Sequence, residues 1–164
     1  MVKYRNGHIY NEEPVVIIMS NTDNNNEPFH IRVRNVQNDS FEYKIEEWEY
    51  TDGISTPTEK LAFMVVEPGS HTLFDGVGKI QALKPLSVGG RYSDVSFDTS
   101  ITAGSNDEPV VFSQTQTDND PNAVITRMDN RSNSGIRVKL QQEYGEGPAS
   151  HAPEDVGLIV VNLS

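Results

Sequence analysis

The chain contains no cysteine, which excludes a disulfide framework and any thiolate metal site and leaves its redox compartment open. Basic residues are scarce. Thirteen Lys and Arg stand against 24 Asp and Glu, for a formal charge of -11, and the resulting negative field disfavours phosphate backbones and anionic lipid, so neither nucleic acid nor membrane insertion is expected. Neutral ligands or cations fit better. No apolar run approaches the roughly 20 residues of a membrane span, and Met1–Asn6 lacks the apolar core of a signal peptide. The abrupt start fits a segment of a larger protein. Helical periodicity is also missing. With 164 residues, 35% of them hydrophobic, the chain has the size of one ordinary domain or two small ones.

A repeat decides between them. Glu13-Pro14-Val15-Val16 recurs as Glu108-Pro109-Val110-Val111, Thr22-Asp23-Asn24 as Thr117-Asp118-Asn119, Arg32 as Arg127, Asn35 as Asn130, Lys44 as Lys139, Glu59 as Glu154 and Val65-Val66 as Val160-Val161. Every pair is 95 positions apart, with no gap. Such agreement over some fifty positions marks a duplication.

Within each copy the apolar residues alternate, as in strands with one buried face. Phe41, Tyr43 and Ile45 oppose Glu42, Lys44 and Glu46, and the second copy sets Ile136, Val138 and Leu140 against Arg137, Lys139 and Gln141. Val15–Met19, Ile31–Val36 and Leu61–Val66 read as further strands, the last apolar on both faces and so central. Val110–Thr115, Val124–Met128 and Val156–Val161 match them. Asp, Asn, Gly and Pro clusters such as 21–28, 38–40, 118–122 and 145–148 supply the turns. The expected fold is all-β: two tandem antiparallel sandwiches of about six strands each, spanning 1–73 and 74–164. Lys79–Leu83 and Tyr92–Phe97 read as two strands leading into the second copy. Too few residues precede Pro14 for both, so the first copy is expected to lack a leading strand, its edge paired by upstream chain, a neighbouring copy or another subunit.

These features resemble the H-type lectin-like β-sandwich found as tandem repeats in large secreted bacterial proteins. The resemblance lies in Val95-Ser96-Phe97, Pro109-Val110-Val111, Gly135-Ile136 and Glu154-Asp155-Val156-Gly157, in the same order in copy one, and in the connector Glu67–Leu73. It implies a six-stranded, non-catalytic sandwich that often trimerises and binds sugars at an extracellular surface. Carried over by position, it marks Asp23, Asn24, Arg32, Arg34 and Trp48 in copy one, with Tyr50 beside the tryptophan. In copy two it marks Asp118, Asn119 and Arg127, with Glu143 in place of the tryptophan.

Each candidate has a plainer reading. Trp48, the one tryptophan, is either a stacking plane for a sugar or a cap on the core. Arg32 and Arg34 alternate with Ile31 and Val33 and should face outward, toward a ligand or a cross-strand partner such as Glu42 or Glu46. Asp23, Asp118 and Asp120 offer hard oxygens of the kind calcium takes, but Asx-turn formation explains them without a metal. His151 near Glu154 and Asp155 suggests zinc less than a hydrogen-bonded loop histidine. No nucleophile elbow or phosphate loop is present. The Glu46–Glu47 pair alternates across a strand and cannot flank one glycosidic bond. An enzyme is not expected. Two readings remain: a carbohydrate-binding module for a polysaccharide or glycan, and a structural repeat that assembles through an exposed strand edge.

Overall fold

The computed structural model describes residues 1–25, 27–48, 58–73, 76–102, 107–142 and 151–163. Among these, copy one contributes β1 (Val2–Lys3), β2 (Val15–Ser20), β3 (Phe29–Arg34), β4 (Ser40–Glu47) and β5 (Leu61–Val66). Then follow β6 (Gly69–Thr72), β7 (Lys79–Val88), β8 (Ser93–Ser96), β9 (Val110–Thr115), β10 (Val124–Asp129), β11 (Gly135–Gln142) and β12 (Glu154–Asn162). A 3-10 turn at Arg5–Gly7 and the one α-helix among the described residues, α1 (Thr99–Thr102), are too short to leave a periodic pattern in the sequence.

The strands form four antiparallel sheets, ordered β1-β4-β3, β2-β5, β6-β7-β12-β9 and β10-β11-β8. Tyr4, Val16, Ile18, Ile31, Val33 and Phe41 fill the core between the first two. Val88, Val95, Phe97, Ile101 and the inward residues of β9 to β12 fill the core between the last two. A third apolar cluster joins the halves: Val15 and Ile17 of β2 meet Ile80 and Ala82 of β7 and Ile159 of β12. Alternate residues of β2 therefore serve two cores, and this is why Val15 to Ile18 is an unbroken apolar run rather than an alternating one.

The duplication extends to the backbone. Asn35 and Asn130, a matched pair, both take left-handed φ, 48° and 51°, a conformation that asparagine tolerates better than most residues. Gln37 N donates to Ser40 O at 2.8 Å, and Ser132 N to Gly135 O at 2.9 Å. β1 lies on β4 as β8 lies on β11, Val2 opposite Phe41 and Val95 opposite Ile136. Buried Tyr4 thereby takes the place of buried Phe97. The spacing here is two residues shorter than in the rest of the repeat, so a gapless comparison passes over it.

Three expectations change. The leading strand without a counterpart among the described residues of copy one is β7, which in copy two pairs with β12. Among the described residues Leu61–Val66 is accordingly an edge strand, paired only with β2, and not a central one. Gly69–Thr72 precedes the expected boundary at residue 73 yet pairs with β7 and belongs to the second copy's sheet.

Candidate functional site: the polar seam between the repeats

Each repeat carries the same polar knot. In copy two Glu154, fully buried, accepts the Thr117 hydroxyl at 2.5 Å and the backbone N–H groups of Asn119 at 2.9 Å and Asp120 at 3.2 Å. Asn119 Nδ2 donates to Pro153 O at 2.9 Å, and Asp155 N donates to Thr117 Oγ1 at 2.8 Å. In copy one Glu59 accepts the Thr22 hydroxyl and the N–H groups of Asn24 at 2.9 Å and Asn25 at 2.7 Å. Asn24 Nδ2 donates to Thr58 O at 2.7 Å, and Lys60 N to Thr22 Oγ1 at 2.8 Å. The hydroxyl of Thr22 and these backbone donors hold the Glu59 carboxyl below its ordinary range. The recurrent Thr-Asp-Asn and the distant Glu are thus one device, a carboxylate that satisfies the orphan donors of a turn.

Onto the copy-two knot docks a cation from copy one. Arg32 does not face solvent as its alternation suggests; it points away from its own core but is completely buried by the other repeat. Its Nη1 binds Asp118 Oδ1 and donates to Asp120 O at 2.7 Å, and its Nη2 donates to Asn122 O. Glu154 Oε1 lies 3.7 Å away. On its own sheet Arg32 Nε stands 3.1 Å from Glu46 Oε2, which also meets His30 Nε2 at 2.7 Å. Lys44 reaches Glu46 Oε1 at 2.5 Å. Burial pushes the Glu46 carboxyl up, but His30, Lys44 and Arg32 outweigh it and leave it below its ordinary value. Arg34, partly exposed, bridges Asp118 Oδ2 at 3.1 Å and Glu42 at 3.4 Å. A guanidinium suits such a site because its fixed fork reaches a carboxylate and carbonyl oxygens together.

Two glutamines complete the seam. Gln116 accepts Val16 N–H at 3.0 Å and donates to Val16 O at 2.8 Å, so a side-chain amide replaces a neighbouring strand on the free edge of β2. Gln114 Oε1 accepts Ile18 N–H at 3.4 Å, and its Nε2 donates to Ile31 O. Beside them Gly157 faces Val15, where a Cβ would lie 2.7 Å from Val15 Cγ1. Copy one has Met19, Asn21 and Ala62 at the positions of Gln114, Gln116 and Gly157. The available signal was this breach of the repeat, rather than any motif.

The remaining candidates are scattered. Asp23 and Arg127 are exposed. Trp48 is half-buried just past β4, its ring tilted over His30 at 5.3 Å between centroids. Tyr50 and Glu143 lie outside the described residues. Two of the three aspartates considered for calcium are engaged: Asp118 by Arg32 and Arg34, and Asp120 by the N–H groups of Asn122 at 3.0 Å and Ala152 at 3.0 Å. Among the described residues no group of three or more His, Asp or Glu is arranged to hold a metal ion. His151 is a buried loop histidine, Nδ1 against Ala152 O at 2.6 Å and Nε2 against Asn122 O at 3.2 Å. Clefts of about 220 and 260 Å³ open along the seam, smaller than the roughly 300–1,000 Å³ of most ligand pockets. A cleft of about 400 Å³ beside Met128 and Arg131 holds none of the candidates.

Among the described residues no helix is long and apolar enough to cross a membrane. No protein-family model matches the chain, and no solved structure does. It is similar to halomucin of Haloquadratum walsbyi, 32% identical over 159 residues that cover 92% of this chain. The chain spans about 2% of the length of that relative.

Proposed function

We propose that this chain is a non-catalytic stacking module of a much longer secreted or surface protein, in which consecutive β-sandwiches lock together as a stiff spacer. The complete burial of Arg32 by groups of the other repeat carries this reading. A recognition module keeps its charged groups where a ligand reaches them, whereas here Arg32 and Asp118 bind one another across the seam. The apolar cluster beneath them and the glutamine clasp on β2 make the contact continuous. Similarity to halomucin, over so small a share of its length, supports placement within a large extracellular chain.

Carbohydrate binding of the H-type lectin kind is the second reading, and Trp48 favours it, because a half-buried indole at a strand end offers a plane to a sugar ring. A glycan array with the folded chain and its Trp48→Ala variant separates the two. The stacking reading expects no glycan retained, together with one rotational correlation time for both repeats by NMR relaxation. Retention abolished by Trp48→Ala, or independent tumbling of the repeats, overturns it.

A further inference from the structure

We infer that the free edge of β5 is a strand-acceptor site, and that its occupant is an extended segment of the β7 type, the connector that leads into a repeat. This deepens the stacking reading by naming a partner and rests on it for the biological setting; the site itself is argued from β5 alone.

The two repeats provide the comparison inside one molecule. β12 is hydrogen-bonded to β9 on one side and β7 on the other, whereas among the described residues β5 has β2 alone. The shared side of the ladder is the same, since Val16 stands opposite Val65 as Val111 stands opposite Val160. What differs is cover. Phe63 is 45% exposed, and its counterpart Leu158 is 0% exposed. Leu61, Met64 and Val65 are half-buried where Val156, Ile159 and Val160 are wholly buried. β7 provides much of that difference in copy two, through its own side chains and its backbone.

The sequence of β5 agrees. Natural edge strands are blunted by lysine, proline or a bulge, and Leu-Ala-Phe-Met-Val-Val has none of these. A two-stranded sheet is also marginal by itself. Transferring the β7–β12 register to β5 sets Leu83 of a connector opposite Phe63, Ala82 opposite Met64, Gln81 opposite Val65, Ile80 opposite Val66 and Lys79 opposite Glu67. The first pair buries an exposed ring, and the last sets opposite charges across the ladder, both favourable in antiparallel pairs. Strand addition of this kind takes its affinity from main-chain hydrogen bonds and its register from alternate side chains.

The test uses the full chain, isotope-labelled, and a synthetic peptide of its own residues 79–88. The peptide is expected to bind one to one, to shift the Phe63 resonances, and to slow amide exchange within Leu61–Val66 about tenfold or more. A peptide carrying Gln81→Pro, which removes a donor that faces β12 in the chain's own ladder, loses this protection, and one carrying Lys79→Glu binds more weakly. The Arg32→Leu chain is expected to take the peptide as before, so a broken seam and a failed acceptor edge give different results. Absence of protection on β5, equal protection by the Gln81→Pro peptide, displacement of the chain's own β7 from β12, or self-pairing of β5 that the peptide does not relieve overturns the inference.

Discussion

At the residue scale, Arg32 and Arg127 occupy matched positions on matched strands, yet one is completely buried and the other exposed. Their substitution should therefore diverge. Arg32→Leu takes one cation from Asp118 and Glu46, which keep Arg34, His30 and Lys44, and leaves the carbonyl oxygens of Asp120 and Asn122 without their buried donor, so the stability measured by urea unfolding should fall by about 1–3 kcal/mol. Arg127→Leu, by the same measurement, should stay within about 0.5 kcal/mol. Glu46 adds a pH dependence. Its folded-state carboxyl titrates below the ordinary value of 4.5, so its contribution is full above that pH and is lost as the pH falls through the lower folded value. The groups that face it, His30, Arg32 and Lys44, are all basic. Unfolding curves from pH 7 down to pH 3 should show less acid loss in Glu46→Gln than in the parent, while Gln at this position costs stability at pH 7. An unchanged acid profile would show that Glu46 does not carry it.

At the element scale, β12 and β2 approach each other because of a missing side chain. A Cβ on Gly157 meets Val15 Cγ1 at 2.7 Å and Gln116 at 3.2 Å, and both neighbours are fixed, Val15 by packing and Gln116 by its bonds to Val16. Gly157→Ala should lower the thermal midpoint through overpacking of about 1–3 kcal/mol. Val15→Ala in the same chain should recover part of it, a coupling that a double-mutant cycle measures directly. Additive losses would place the strain elsewhere. The ordinary role of glycine as a turn residue does not apply to this position; the sheet interior tolerates it because the other repeat fills the space.

For the whole molecule, the seam predicts that the repeats unfold together. Far-UV dichroism and Trp48 fluorescence should report one coincident transition in the parent chain. Arg32→Leu or Gly157→Val should separate the two probes, since the tryptophan sits only in copy one. Molar salt, where the screening length is about 3 Å, should leave the coincidence intact, because buried pairs are screened far less than exposed ones. A transition that splits in salt would mean that exposed charges hold the repeats together.

The all-β class, the duplication and most strand positions were legible in the sequence, because alternation and turn chemistry are local and the 95-residue offset repeats them. The polar knot was legible only as identities: Thr22, Asn24 and Glu59 recur as a set, but nothing local says that a carboxylate 37 positions on would close the turn. Tertiary structure alone decided the rest. Arg32 and Arg127 have equivalent places in the pattern, as do Asp118 and Asp23, and the second repeat packs on one side of the first and so engages only one of each pair. Periodicity tells which face of a strand an arginine occupies; which other surface covers that face is settled by packing between elements distant in sequence.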